Sequence, residues 1–153
     1  MTVGIVGLGL IGGSFAKAYH EAGWRVLAFD TDRDVLAFAV ISGAVDGELT
    51  DETMAECSLI LLAAYPAAVT AWFEKNAPLI SGRSVVIDCC GTKRRVCAAC
   101  FPIAERYGLT YLGGHPMAGT QFSGFKYARA DLFCGAPMVL VPPRFDDIEL
   151  LGR

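Results

Sequence analysis

Short apolar runs alternate with helix-like segments along most of this chain, and this alternation limits its possible folds more than any other feature. The clearest run, at residues 58–63, reads SLILLA, and similar runs occupy residues 2–6, 25–29 and 84–87. Strands that are apolar on both faces suit a parallel sheet covered by helices. Strands that alternate with helices at this spacing indicate βαβ units. The sequence therefore predicts an α/β fold with a doubly wound, mainly parallel sheet.

The remaining elements are predicted from helix formers and from the glycines and prolines that bound them. Helices are predicted over residues 12–22, 34–42, 67–77 and 94–107. Pro102 lies inside the last of these and is expected to kink or split it. Weaker patterns predict a strand near residues 44–45, a small helix over 50–55, a strand over 110–112 that runs into 113–116, and a last strand over 138–141.

A glycine-rich turn follows the first strand, where residues 7–12 read GLGLIG and have the spacing G-x-G-x-x-G. In this spacing Gly7 permits a tight turn, Gly9 lets the backbone approach a pyrophosphate, and Gly12 lets the helix pack close to the strand. Phosphates then bind the free N–H groups at the positive end of that helix. Leu10 and Ile11 are therefore predicted to contact the cofactor.

An acidic residue follows the second strand. Asp30 lies 23 residues after Gly7, close to the roughly 20 expected for a carboxylate that binds ribose hydroxyls. This context predicts a Rossmann-type dinucleotide-binding domain, with a purely structural turn as the alternative, and Ala64 is assigned to the same site. A carboxylate repels a 2′-phosphate, which favours NAD over NADP. If Asp30 turns away, Arg33 is placed to bind the 2′-phosphate of NADP. The simpler alternative is that Arg33 is a solvated surface residue between two aspartates.

A second informative stretch, residues 113–120, reads GGHPMAGT and follows a predicted strand. It therefore lies at the carboxyl edge of the sheet, where open α/β folds bind their ligands. His115 can donate or accept a hydrogen bond near neutral pH, which suits removal of hydride from an alcohol-bearing carbon. A histidine that caps a turn before Pro116 is the alternative, and residue chemistry alone leaves both open.

Three ordered motifs resemble those of the prephenate/arogenate dehydrogenase family, over a span from Val3 to about Pro142. They are GLGLIGGSFAKA at residues 7–18, Asp88 followed by GTK at residues 91–93, and GGHPMAGT followed by Ser123, Gly124 and ADLF at residues 130–133. The resemblance implies an N-terminal dinucleotide-binding domain. Such enzymes pass a hydride from C4 of prephenate or arogenate to the nicotinamide, and loss of the ring carboxylate as CO2 then gives a phenol. The sequence does not decide between the two substrates.

The resemblance also assigns roles to single residues. His115 matches the family histidine that hydrogen-bonds the C4 hydroxyl, as a neutral acceptor. Gly91 stands where a serine is common, so Thr92 is expected to supply the hydroxyl, with backbone N–H groups as the alternative. Lys93 is expected to attract the anionic substrate, with a solvated helix start as the alternative. Gln121 stands where some bacterial members carry a glutamate, and it keeps hydrogen bonding without the charge.

Family members continue with a helical C-terminal domain that forms a homodimer and supplies an arginine to the substrate. The resemblance therefore places the Rossmann domain at residues 1–141 and assigns 142–153 to a linker and the start of that domain, which is otherwise absent; residues 146–153 suggest a helix start. This chain is expected to bind NAD but to turn over prephenate poorly. A different β-hydroxyacid-type dehydrogenase and a non-catalytic nucleotide-binding module are the competing hypotheses.

Composition and charge argue against other classes. No apolar run approaches the roughly 20 residues of a membrane span, and the opening residues lack the basic segment of a signal peptide. A formal charge of −3 and a pI near 5.3 lack the excess of basic charge that is typical of nucleic-acid-binding proteins. A cytoplasmic protein is therefore expected, and its six cysteines are predicted to be reduced. Cys97 and Cys100 lie on a predicted helix without a second separated pair, so no metal site is predicted.

Overall fold

The computed structural model describes residues 1–144 and contains a seven-stranded sheet flanked by helices. The strands are β1 (Thr2–Val6), β2 (Arg25–Phe29), β3 (Gly47–Glu48), β4 (Leu59–Leu62), β5 (Val85–Asp88), β6 (Thr110–Pro116) and β7 (Met138–Val141). The helices are α1 (Leu10–Glu21), α2 (Arg33–Ile41), α3 (Pro66–Asn76) and α4 (Arg94–Tyr107). Short 3₁₀ turns occur at Met54–Glu56, Ala77–Leu79, Phe125–Tyr127 and Ala130–Phe133.

The strand order is β3-β2-β1-β4-β5-β6-β7, with the first six strands parallel and β7 antiparallel to β6. The chain winds outward from β1 in one direction and then returns to add β4 on the other side. Ligands bind at such a reversal, outside the carboxyl ends of the strands. The predicted doubly wound, mainly parallel fold is therefore confirmed, and its switch point lies between β1 and β4.

Both faces of the central strands β1 and β4 are buried, as the unbroken apolar runs predicted. Successive residues of β4 alternate between two hydrophobic clusters, since Ile60 and Leu62 belong to one and Leu61 to the other. The first cluster includes Phe73 from α3, and the second includes Ala16 from α1. This arrangement holds the strand ends in fixed register, and those ends carry the predicted site.

Three predicted elements differ from the structure. The strand near residues 44–45 is wrong: both residues are buried in a connection, and the backbone N–H of Val26 donates to the Asp46 carboxylate, so pairing starts only at Gly47. The small helix over 50–55 is instead the 3₁₀ turn Met54–Glu56. Helix α4 is not split at Pro102, because the proline lies on its exposed side while the opposite side packs into the core.

Strand β6 continues to Pro116 instead of ending at residue 112, since β7 pairs with its last four residues. The predicted helix start at residues 146–153 lies outside the described residues, and the domain boundary at residue 141 stays a prediction. No helix in residues 1–144 is long and apolar enough to cross a membrane.

Candidate dinucleotide and active site

A cleft of about 1150 Å³ opens at the switch point of the sheet. This volume is slightly above the range typical of ligand pockets, about 300–1,000 Å³. Six of the predicted cofactor-binding residues line it: Gly7, Gly9, Leu10, Ile11, Asp30 and Ala64. The structure thus brings together the glycine turn, the end of β2 and the end of β4, as the sequence predicted.

The three glycines of the turn have different physical roles. Gly7 has φ +91°, and a Cβ there would lie 2.6 Å from the carbonyl oxygen of Ala63. A Cβ on Gly12 would overlap the carbonyl oxygen of Gly7. Gly9 has φ −70°, and a Cβ there would meet nothing within 4 Å. The fold therefore requires Gly7 and Gly12, whereas Gly9 leaves open space at the cleft that a ligand could approach.

Helix α1 begins beside this open position. Gly9 is its N-cap residue and provides no side-chain cap, so the first N–H groups of the helix depend on another partner. The first turn contains no acidic side chain to compete for its positive end. Leu10 and Ile11 belong to this turn, and both line the cleft. A pyrophosphate fits this arrangement, since it supplies both the acceptors and the negative charge.

Asp30 is held in one orientation at the end of β2. Its Oδ2 accepts a hydrogen bond from the backbone N–H of Leu8 at 2.6 Å, and its Oδ1 accepts one from Asp32 at 2.8 Å. Each carboxylate oxygen can accept a second bond, so the pair remains available to ribose hydroxyls. Asp30 therefore does not turn away from the cleft, which was the condition set for Arg33 to receive a 2′-phosphate.

Arg33 lies at the start of α2 and forms a two-pronged ion pair. Its Nη1 is 2.5 Å from Oε1 of Glu48, and its Nη2 is 3.0 Å from Oε2. The simple solvated alternative is thus incomplete, because the guanidinium is exposed and yet ion-paired. Glu48 belongs to β3, lines the cleft, and was missed because the sequence placed that strand three residues too early.

His115 lies near the end of β6 and is half-buried. A Cβ on Gly91 would lie 3.7 Å from its Nε2, so the imidazole faces the loop that follows β5. Gly91 itself lines the dinucleotide cleft. The structure therefore brings the predicted catalytic histidine to the same edge as the glycine turn. Thr92 is exposed on the same loop, and Gln121 is exposed on the connection that follows β6.

A buried polar cluster fixes the strand that carries His115. Asp88 is fully buried at the end of β5 and accepts hydrogen bonds from the backbone N–H of Cys90 at 2.9 Å and the hydroxyl of Tyr111 at 2.6 Å. The ammonium of Lys93 pairs with the same carboxylate and donates to the carbonyl of Gly114. This cluster therefore joins β5, the loop after it and β6 directly beside the histidine.

Sequence reasoning placed Lys93 against the substrate, whereas the structure gives it these internal partners. Its side chain is only 18% exposed. Burial and the Asp88 carboxylate raise the pKa of Tyr111 far above its ordinary value, so its hydroxyl stays a donor. The sequence did not indicate that Asp88, Lys93 and Tyr111 form a cluster, because the three residues belong to separate elements.

The cysteines near this cluster are protonated thiols. Burial first, and then the Asp88 carboxylate, raise the pKa of both Cys89 and Cys90 from 9.0 to about 12. Burial likewise raises the pKa of Cys97 and Cys100. All six cysteines are free, and only Cys134 is exposed. No group of three or more metal-ligating side chains occurs in the part of the chain that the structure describes.

Alkylation of the native chain by iodoacetamide at pH 8 is expected to modify Cys134 rapidly and the other cysteines slowly, since the thiolate is the reacting form. Mass spectrometry should detect one fast adduct, and none after Cys134→Ser. Two or more fast adducts on the native chain would contradict this assignment.

The raised thiol pKa values also affect stability. Between pH 9 and about 12 the folded state retains protons that the unfolded state has lost, so the free energy of unfolding falls as the pH rises through this window.

The strand order, the glycine turn at the switch point and the carboxylate that ends β2 together define a Rossmann-type nucleotide-binding domain. Over residues 15–152 the sequence matches the family described as prephenate dehydrogenase, nucleotide-binding domain. The chain therefore belongs to the prephenate dehydrogenase family, and the predicted family resemblance is confirmed.

Individual relatives agree with this family. The chain is 33% identical to the probable prephenate dehydrogenase NovF of Streptomyces niveus, over 99% of this chain and 41% of that protein. Arogenate dehydrogenase of Synechocystis superposes with a TM-score of 0.87 at 30% identity, over 99% of this chain and 54% of the other. Prephenate dehydrogenase of Aquifex aeolicus, solved with hydroxyphenyl propionate and NAD+, gives 0.84 at 27% identity, over 99% and 54%. The chain thus spans about two fifths to one half of these relatives.

Proposed function

We propose that this chain is the cofactor-binding part of an NAD-dependent dehydrogenase that oxidatively decarboxylates prephenate to 4-hydroxyphenylpyruvate. The observation that carries the proposal is the open position at Gly9, which lies beside the uncapped start of α1 and faces the cleft. Arogenate is the second candidate substrate, favoured by the high structural similarity to the Synechocystis arogenate dehydrogenase. A cytoplasmic location and a homodimer stay predictions.

The residues of the cleft fit a nicotinamide dinucleotide. The N–H groups at the start of α1 would hold its pyrophosphate, with Gly9 allowing the approach. Asp30 would accept hydrogen bonds from the adenosine ribose, which favours NAD over NADP. Ala64, at the end of β4, would contact the cofactor on the opposite side of the turn. When bound, the nicotinamide supplies the hydride acceptor.

The chemistry that this chain contributes is orientation and hydrogen bonding. His115 would accept the hydrogen bond of the C4 hydroxyl and draw its proton away as the hydride leaves. Thr92 and Gln121 would contact the substrate from the exposed loops on either side of the histidine. Lys93 was predicted to attract an anionic substrate. Its bonds to Asp88 and Gly114 suit it better to positioning the end of β6.

The sheet edge beside His115 is apolar. Met138, Val139 and Leu140 of β7 are 38–44% exposed, and Met117 on the adjacent loop is 52% exposed. This edge would be covered in the longer relatives by the further helical domain, with its substrate-binding arginine and homodimer contacts. Activity of the whole enzyme is therefore proposed to need residues beyond those described.

Replacement of His115 by asparagine is expected to lower kcat by about 10²–10⁴-fold, the usual contribution of a positioned acid or base. NAD affinity should stay within about twofold, because His115 is not among the residues that line the cleft. The assay follows NADH formation from prephenate and, separately, arogenate, in the full gene product and in the 153-residue chain. The chain alone should be nearly inactive.

Two results would overturn the proposal. Full activity of the His115→Asn protein would remove the histidine from the mechanism. Tight NAD binding by the full gene product without turnover of either substrate would favour a non-catalytic nucleotide-binding module. The ratio of kcat/KM for the two substrates decides between prephenate and arogenate.

A further inference from the structure

One ion pair borders the part of the cleft where the adenosine ribose would bind. Arg33 and Glu48 form two nearly parallel bonds of 2.5 and 3.0 Å between guanidinium and carboxylate. Such paired geometry fixes the plane of the guanidinium as well as its position. Hydrogen bonding to Arg33 lowers the pKa of the Glu48 carboxyl, so this group is ionised at neutral pH.

The sheet places this pair beside Asp30. Glu48 on β3 is in register with Ala28 on β2, two residues before the carboxylate. Arg33 begins α2, three residues after it. Asp30 and Glu48 both line the cleft, so the pair lies at the ribose end of the proposed dinucleotide site.

In this class of fold, a nearby arginine binds the 2′-phosphate when NADP is the cofactor. Arg33 has the right residue type and place for that role. Its hydrogen-bonding face is already directed at Glu48, however, and the Asp30 carboxylate is held in the cleft by two backbone N–H groups. A 2′-phosphate would have to displace Glu48 from the guanidinium and then remain close to two carboxylates.

We infer that Glu48 is a specificity-determining residue, which favours NAD by holding Arg33 away from the 2′ position and by adding a negative charge there. The inference rests on the proposed dinucleotide binding and deepens it. An exposed ion pair is worth little to stability, so its consequence is expected in cofactor preference and not in folding. Glu48 acts through Arg33 and is therefore a positioning residue.

The test compares the dissociation constants of NAD and NADP for single and double variants. Glu48→Gln removes the charge and frees Arg33, so NADP affinity should rise about tenfold while NAD affinity stays within about twofold. In an Arg33→Ala background, Glu48→Gln should raise NADP affinity by no more than about twofold. Unchanged melting temperatures check that every variant is folded.

Glu52→Gln is the matched control. Glu52 lines the same cleft, but its carboxylate accepts a hydrogen bond from the hydroxyl of Thr50 at 2.6 Å. Its replacement removes an equal charge without touching Arg33, and should change NADP affinity by less than about threefold.

Four outcomes would overturn the inference. An equal gain from Glu52→Gln, or a full gain without Arg33, would mean that net charge alone sets the preference. An unchanged NADP affinity in Glu48→Gln would mean that Asp30 suffices. If the unaltered chain binds neither cofactor, the proposed function fails as well, whereas NAD binding without any shift rejects the inference alone.

Discussion

Gly9→Ala is expected to weaken NAD binding at least tenfold without destabilising the chain. Its φ of −70° suits alanine, and an added Cβ meets no atom within 4 Å. The free energy of unfolding should therefore stay the same or rise by up to about 1 kcal/mol. The methyl group would instead occupy the approach of the pyrophosphate to the first turn of α1. Charge-assisted hydrogen bonds of this kind are worth about 1.5–3 kcal/mol each.

Gly12→Ala provides the contrasting variant within the same turn. Its Cβ would overlap the carbonyl oxygen of Gly7, so α1 must shift away from the turn. Forced overpacking of this kind costs about 1–3 kcal/mol or more. Stability should therefore fall together with NAD affinity in this variant, whereas in Gly9→Ala only the affinity falls.

Urea unfolding measures the stability of each variant, and calorimetric titration with NAD measures its NAD affinity. If Gly9→Ala retained NAD affinity, the openness at this position would have no role in binding. If Gly12→Ala were as stable as the parent, the close contact between the helix and the turn would not be needed by the fold.

Asp88→Ala is expected to destabilise the chain by about 3–5 kcal/mol, the usual effect of removing one partner of a buried ion pair. Asp88 is fully buried, and its loss would leave the Lys93 ammonium without its counter-charge, and the Tyr111 hydroxyl and the backbone N–H of Cys90 without their acceptor. The cluster joins β5 to β6, so this loss should also loosen the strand that carries His115.

Two further variants calibrate this result by urea unfolding. Tyr111→Phe removes one hydrogen bond to a charged group and should cost about 1.5–3 kcal/mol. Asp131→Ala removes an exposed carboxylate that pairs with Arg129 at 2.7 Å, and should cost no more than about 1 kcal/mol. A loss below about 1 kcal/mol for Asp88→Ala would contradict the structural role of the cluster.

Local chemistry explains why so much of the fold was predictable. Buried strands such as β4 are apolar on both faces, and the turn at Gly7 and Gly12 tolerates no side chain. Both features leave a direct trace in the residue types. The position of Asp30 is likewise local, since it directly follows the apolar run that forms β2.

The parts that sequence reasoning missed depend on contacts between distant segments. β3 has only two residues and is set by the pairing of Leu27 with Gly47, so its true register, and the pair between Arg33 and Glu48, had no periodic signal. The partners of Lys93 lie on β5 and β6, and a surface role was therefore predicted for a lysine that is largely buried. Helix α4 continues through Pro102 because core packing outweighs the local preference of proline.

We interpret this chain as a nicotinamide dinucleotide-binding domain that prefers NAD. Calorimetric titration of the unaltered chain with NAD, and then with NADP, measures both properties. We expect one NAD site per chain and an affinity for NADP at least about tenfold weaker, because Asp30 and Glu48 would face the 2′ position. Absence of NAD binding by the folded chain, or tighter binding of NADP, would contradict it.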